Sequence, residues 1–190
     1  FVLRGHPSYV FCVAWSPDGK MLASCGDGGP SLNGLPAEIK VWDTTTGKEL
    51  ITLKGHRGFV DGVAWSPNGE RLVSGGKDQT VKIWEVGSGK LLKTLRGPTG
   101  FHSPFIKCVA WSTDGTKIAC GSQGGAVRVW GSETGEVIQT IQASKAQGHI
   151  FSVAFSPDGT KLASGGQSPE VNVWKLMPSG LTGSPIPVPQ

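Results

Sequence analysis

The stretch Gly55–Glu85, GHRGFVDGVAWSPNGERLVSGGKDQTVKIWE, decides the fold. In order it holds a Gly-His pair, an alternating run ending in Trp65, an SPNG turn, the run RLVSGG, a tight KDQT turn and the run VKIWE. Short alternating runs rich in β-branched and aromatic residues predict strands. The chain states this unit four times. Its first landmark recurs at Trp15, Trp65, Trp111 and Phe155, spaced by 50, 46 and 44 residues. Its second recurs at Trp42, Trp84, Trp130 and Trp174, spaced by 42, 46 and 44. Two independent landmarks with nearly one period identify an internal repeat, which comes before any other reading.

Each unit reads as a four-stranded antiparallel meander. SPDG, SPNG, STDG and SPDG follow the first strands, and each carries a Gly after Asp or Asn, suited to a type I turn or a bulged hairpin. The second runs are KMLASCG, ERLVSGG, TKIACGS and TKLASGG. After the third strand come the turns TTTGK, GSGK, SETGE and MPSG, and then ELITLKG, LLKTLRG and EVIQTIQ close three of the units. One such sheet has two apolar faces and buries neither alone, whereas sheets stacked face to face bury both.

The bulk numbers agree. The 190 residues include 29 Gly and 13 Pro, as expected of many short strands joined by tight turns. Net charge is +4, but Lys and Arg fall singly near turns, which fits a solvated surface better than the clustered basic face of a nucleic-acid binder. Cys12, Cys25, Cys108 and Cys120 show no CxxC spacing, and Cys12 and Cys108 hold the same place in two repeats. Buried free thiols in a reducing compartment follow, and with them a cytoplasmic location. No apolar run approaches membrane-spanning length, and no signal peptide or Asn-x-Ser/Thr acceptor is visible. Phe1 already lies in a strand-like pattern, so a natural start of translation is not expected there.

These units resemble WD40 repeats in the Gly-His pair, the central SPDG and the dipeptide ending the third strand. That dipeptide is Trp42–Asp43, Trp84–Glu85, Trp130–Gly131 and Trp174–Lys175, so the literal Trp-Asp occurs once. The resemblance runs from Leu3 to Leu176, over repeats at about 3–43, 53–85, 95–131 and 141–175, with 177–190 a Pro/Gly-rich tail or final outer strand. It implies an all-β protein built of β-propeller blades. Propellers have roughly 4–8 blades, and rings of this family mostly have seven or eight. Four blades are therefore expected to be part of a larger ring, half of an eight-bladed ring made by two copies, or a ring of four. FVLRGH looks like the fourth strand of a preceding blade, able to complete the fourth blade of a neighbouring copy. SGLTGSPIPVPQ is a poor strand, since Pro185, Pro187 and Pro189 donate no N–H.

The resemblance also implies a buried set in each blade, with a carboxylate orienting the Gly-His imidazole, the imidazole reaching a hydroxyl, and the hydroxyl holding the indole N–H. The second unit matches fully with His56, Ser74, Asp78 and Trp84. The first keeps His6, Ser24 and Trp42, but its connection GDGGPSLNGLPAE is eight residues longer, and neither Asp27 nor Glu38 is in register. The third aligns His102 and Trp130, with Cys120 for Ser and Gly124 for Asp. The fourth has Ser164 and Trp174, with Ser168 for Asp; His149 lies six residues before Phe155, not nine, and is expected to leave the set for the rim.

His56, Ser74 and Asp78 have the composition of a hydrolase triad, but Ser74 is mid-strand with no oxyanion-forming loop beside it, and partial repetition argues for architecture. The His residues are too dispersed for a metal, and GDGG and GSQGG lack a following helix and Lys-Ser/Thr, so no cofactor is expected. By resemblance, partners dock on the top face. Its candidates here are Tyr9, Phe11, Phe59, Asp61, Phe105, Lys107, His149 and Phe151 on the first strands, and Lys77, Gln123 and Gln167 in the tight turns. Aromatics with scattered charges are the composition that anchors interfaces, although half of these aromatics would equally pack between blades. The insertion Gly28–Ile39 is a further recognition candidate or a decoration. The expected function is a non-catalytic scaffold for protein partners, among them a second copy or the remainder of a larger propeller. The rivals are an enzyme at the central channel, which would need convergent carboxylates, His or metal ligands, and a nucleic-acid binder, for which only Arg57, Lys77 and Lys107 are candidates.

Overall fold

A computed structural model describes residues 2–29, 36–98, 105–144 and 148–176, and the backbone of 186–187. Among these residues there is no helix, and the strands form four four-stranded antiparallel sheets. The first blade comprises β1 (Val10–Trp15), β2 (Met21–Gly26), β3 (Glu38–Asp43) and β4 (Glu49–Lys54). The second comprises β5 (Val60–Trp65), β6 (Arg71–Gly76), β7 (Thr80–Glu85) and β8 (Leu91–Arg96). The third comprises β9 (Ile106–Trp111), β10 (Lys117–Ser122), β11 (Ala126–Gly131) and β12 (Val137–Gln142). The fourth comprises β13 (Ile150–Phe155), β14 (Lys161–Gly166), β15 (Asn172–Lys175) and β16 (Ile186–Pro187). In every sheet the strands lie in sequence order.

The turns follow from their residues. In the second blade Ser66 Oγ accepts the Arg71 N–H at 2.9 Å and contacts Asn68 Oδ1 at 2.7 Å, while Gly69 takes φ 73°, where a Cβ would be strained. The equivalent Ser16, Ser112 and Ser156 make the same bond to Met21, Lys117 and Lys161.

Apolar side chains fill the spaces between blades. Ile39, Val41 and Leu53 of the first blade meet Val60, Trp65, Leu72 and Trp84 of the second. Val73, Val81, Ile83 and Leu95 meet Ile106, Ile118 and Trp130. Val127, Val129 and Ile141 meet Ile150, Val153 and Leu162. At roughly 25 cal/mol per Å² of apolar surface removed from water, these three layers are the main favourable contribution to the fold.

Three expectations change. Of FVLRGH, which looks like a fourth strand, the described residues 2–6 pair with no described strand. The Pro-rich end does reach the fourth sheet: Ile186 pairs with Lys175 and Pro187 with Trp174. An outer strand needs donors on one side only, so a proline fits there. The thiols of all four cysteines are free, but Cys12 and Cys108 keep partial exposure and only Cys25 and Cys120 are fully buried.

Candidate functional site

Two constellations repeat from blade to blade, one inside each sheet and one along its top edge. In the second blade His56 Nδ1 lies 3.0 Å from both Asp78 oxygens and Nε2 lies 2.7 Å from Ser74 Oγ. Ser74 Oγ accepts the Trp84 indole N–H at 2.8 Å. A carboxylate can only accept, so Nδ1–H donates to Asp78 and the Ser74 hydroxyl donates to Nε2. Asp78 also accepts the backbone N–H of Arg57 at 3.0 Å and the Thr80 hydroxyl at 2.7 Å. Desolvation alone would raise the Asp78 pKa, but His56, the Arg57 N–H and Thr80 outweigh it and hold the carboxyl well below its ordinary value.

The other blades carry truncated versions. His6 Nε2 lies 2.6 Å from Ser24 Oγ, which accepts the Trp42 indole N–H at 2.7 Å, but His6 Nδ1 is buried with no partner among the described residues. Neither nearby carboxylate serves it. Asp27 is taken by the Ser8 hydroxyl and the Gly29 N–H, and Glu38 by Lys40 and Lys54. Trp130 and Cys120 are buried together, and His102 lies outside the described residues. In the fourth blade the Trp174 indole donates to Ser164 Oγ at 3.1 Å, while the His149 ring stacks edge-on against Phe151 at 5.7 Å.

A third repeated feature, legible as the basic residue two before the Trp that ends the third strand in the first three units (the fourth has Asn172), is absent from the expected set. Lys40 donates to Thr52, Lys82 to Thr94 and Arg128 to Thr140, at 3.0, 3.1 and 3.0 Å. Lys40 additionally pairs with Glu49 at 2.9 Å, and Arg128 reaches the Gly97 carbonyl at 2.9 Å. These contacts tie the outer two strands together beneath the Gly-His loop.

At the top edge, one hydrogen bond recurs in all four blades. The N–H groups of Asp27, Lys77, Gln123 and Gln167 donate to the carbonyls of Tyr9, Phe59, Phe105 and His149, at 2.9, 2.8, 2.8 and 2.9 Å. The innermost strands also share a β-bulge whose extra residue is Phe11, Asp61, Lys107 or Phe151. A bulge leaves its extra residue out of the ladder and re-aims the side chain. Phe11 and Phe151 are exposed, whereas Lys107 Nζ pairs with Asp61 at 2.6 Å across two blades.

The structure thus brings together most of one side of the expected face. Phe11 packs edge-on against Phe59 at 5.9 Å, and Lys77 Nζ lies 4.9 Å from the Phe59 ring centre and 5.5 Å from that of Phe105. This run of rings and one ammonium crosses three blades. Tyr9 stands exposed at its margin. His149, Phe151 and Gln167 cluster separately on the fourth blade, where Gln167 Oε1 accepts the His149 N–H at 3.2 Å. Of the insertion, residues 30–35 lie outside the described residues; beyond them, the Ala37 N–H reaches the Gly58 carbonyl at 3.4 Å.

Among the described residues no group of three His, Cys, Asp or Glu side chains is placed to hold a metal. Burial pushes the Cys108 thiol up to about 12 and Cys120 higher still, so neither is a ready nucleophile. The cleft between the second and third blades lies at the opposite edge, lined by Asn68, Trp111, Asp114 and the Arg71–Glu133 pair. Asp114 is committed there to the Thr116 turn.

Blades of this topology, layered through apolar faces and fastened internally by His, Ser and Trp, define a β-propeller repeat protein. The family model described as "WD domain, G-beta repeat" matches residues 1–29, 47–85, 89–131 and 135–175. The chain therefore belongs to the WD40 repeat family, whose repeats generally mediate protein–protein interaction on scaffolds that are typically non-catalytic. No curated protein matches the chain.

Proposed function

We propose that this chain is a non-catalytic scaffold whose top face docks a protein partner, and that Phe11, Phe59, Lys77 and Phe105 form the centre of that face. The observation carrying this reading is the placement of Lys77 over rings from two blades beside the exposed Phe11. Aromatic side chains offer large contact area at low conformational cost, and Lys77 takes part in none of the ion pairs among the described residues. A segment with an apolar anchor and a neighbouring carboxylate suits this surface. The repeated N–H to carbonyl bond under each first strand favours a preformed face, which lowers the entropy lost on binding.

The His56, Ser74, Asp78 and Trp84 set is read here as the fastening of a blade. Both His56 and Ser74 are buried, and the Ser74 oxygen is occupied by an indole N–H. A cytoplasmic location belongs to the same reading, since free cysteines suit a reducing compartment. No helix of the described residues is long and apolar enough to cross a membrane.

A photo-crosslinking side chain at position 77 tests the proposal against one at position 88, in a turn at the other edge. The expected result is a discrete adduct from position 77 in cells, lost when Phe59 and Phe105 are both replaced by Ala, and none from position 88. Equal labelling from both positions, or an adduct indifferent to the two rings, overturns it.

A further inference from the structure

Two of the four cysteines face each other across a pair of strands. Cys12 on β1 stands opposite Cys25 on β2, in the first pair of the ladder after the bulge at Phe11. Residues directly opposite in an antiparallel pair share one face of the sheet. The ladder sets their Cα atoms about 4.5 or 5.5 Å apart, and a disulfide spans about 4.4–6.8 Å between Cα atoms. The two side chains already meet, since the Cys25 thiol hydrogen-bonds to Cys12 Sγ.

This pairing belongs to the first blade alone. The positions opposed in the same way are Gly62 and Gly75 in the second blade, Cys108 and Gly121 in the third, and Ser152 and Gly165 in the fourth. Cys120 stands opposite Val109 and Arg128, so neither of the other two thiols has a thiol across from it. The first blade also has room for the side chain of Cys25. At Gly75 and Gly121 an added Cβ would collide with Ile106 and Ile150 of the next blade. Opposite Cys25 the next blade presents Val60, smaller by one methylene, and the two lie buried in one apolar cluster.

The two sulfurs differ in environment. Cys25 is fully buried, whereas Cys12 keeps partial exposure. Cys12 faces the second blade, where its Sγ lies 3.8 Å from the Val63 carbonyl. Cys108, at the same place in the third blade, is also partly exposed, so the opening belongs to the position and not to the other face of the first blade. The hydrogen bond from Cys25 holds the Cys12 thiol well below the ordinary thiol range; burial opposes this, and the Val63 backbone adds to it. The same contact, together with burial, pushes Cys25 up. Cys12 is therefore the sulfur that ionises and meets solvent, with Cys25 as a protonated thiol held beside it.

We propose that Cys12 and Cys25 form a redox modification site, at which a peroxide converts the two opposed thiols into a cross-strand disulfide. The Cys12 thiolate attacks one oxygen of hydrogen peroxide, the O–O bond breaks, and hydroxide leaves and takes up the proton that Cys12 had released. Cys12 is now a sulfenic acid. The Cys25 sulfur attacks the Cys12 sulfur, the S–O bond breaks, and the departing hydroxide leaves as water with the Cys25 proton. Two thiols and one peroxide become one disulfide and two waters. A thiol reductant reverses the bond by exchange, so the site suits a reducing compartment. The bond would tie β1 to β2 at the residue after Phe11 and fix the bulge.

Peroxide treatment of the purified chain tests the site, followed by alkylation of the remaining thiols under denaturing conditions and peptide mass spectrometry. With a few equivalents of hydrogen peroxide, the expected product is one intramolecular link from Cys12 to Cys25, two hydrogens lighter than the starting chain. Cys108 and Cys120 should be alkylated, and dithiothreitol should return all four cysteines to the alkylated form. Cys12 should be consumed at least about tenfold faster than Cys108. Cys25→Ser should stop the reaction at Cys12 sulfenic acid, trapped by dimedone, and the unaltered chain decides the matter whether or not that variant folds. Four alkylated cysteines after peroxide, oxidation of Cys108 at an equal rate, or a disulfide joining Cys12 to any sulfur other than Cys25 each overturns the proposal.

Discussion

Asp78 grips His56 through both carboxylate oxygens, each 3.0 Å from Nδ1, and no such grip exists on His6, whose Nδ1 is buried without a partner among the described residues. The two imidazoles otherwise sit alike, each 6.2 Å from its blade's Trp ring. Replacing Asp78 by Ala should therefore turn the second blade into a copy of the first. It strips the partner from a buried imidazole N–H and from the Arg57 N–H and Thr80 hydroxyl. The expected loss is about 2–3 kcal/mol of unfolding free energy, read from urea melts at pH 7.5. His56→Ala in the Asp78→Ala background should add less than it does alone, because the two act as one network.

Acid sensitivity should begin at His6 and deepen at Asp78. Burial first, and Lys40 second, lower the His6 pKa below 6.5. A histidine depressed in the folded state takes up its proton more readily when unfolded, so stability falls as pH drops below about 6.5. Asp78 is a carboxylate depressed in the folded state; its contribution is full above about pH 4 and is lost as pH falls further. His6→Gln should flatten the denaturation midpoint between pH 6.5 and 5, while Asp78→Asn should flatten it only below pH 4. An unchanged slope in either variant would assign the acid response to other groups.

Asp61 and Lys107 occupy the same bulge position in adjacent blades and pair at 2.6 Å while largely shielded from water. Their coupling should amount to about 1 kcal/mol in a double-mutant cycle with Asp61→Asn and Lys107→Met, above what an exposed pair gives. A coupling indistinguishable from zero would mean that the pair contributes nothing to holding the second and third blades together.

The sequence carried the repeat, the strand order and the internal fastening because each is restated at nearly fixed spacing. His56, Ser74, Asp78 and Trp84 are readable since their absences in other units are readable too. The top face was legible only as a set of positions. That Phe11, Asp61, Lys107 and Phe151 are the extra residues of bulges depends on register, and a single strand's sequence does not contain its register. Lys77 over Phe105 joins residues of different repeats, so no spacing within a repeat announces it. The Lys40, Lys82 and Arg128 contacts were visible as a recurring basic residue, but its meaning lies in the opposed Thr on the next strand.

Gln79 closes the tight turn of the second blade with φ 67°, a region that costs a residue with a Cβ on the order of 1–3 kcal/mol. The third blade places Gly125 at the equivalent point with φ 76°. Gln79→Gly should relieve the strain, less roughly 0.5–1 kcal/mol for the freer unfolded chain, for a net gain of up to about 2 kcal/mol. Thermal melts should register this as a small rise in the transition. A fall would show that the Gln79 side chain contributes more than its backbone loses.

Gly75 lies one residue before the end of β6, within the strand run RLVSGG, and has a steric reason to lack a side chain. A Cβ there would collide with Ile106 Cγ2 and lie 2.8 Å from Val109 Cγ1, both in the next blade. Gly75→Ala should therefore destabilise the chain by about 1–3 kcal/mol, although alanine itself suits the backbone. The cause is steric and lies first in Ile106 and second in Val109, so the larger part of it is separable. Ile106→Ala alone should cost about 2–5 kcal/mol by opening a cavity between the blades. In combination with Gly75→Ala the new methyl group enters that space, and the double variant should be more stable than the sum of the single losses by at least about 1 kcal/mol. Simple additivity in urea melts would mean that the blades can slide apart to admit the methyl group, and that close approach at Gly75 does not set their spacing.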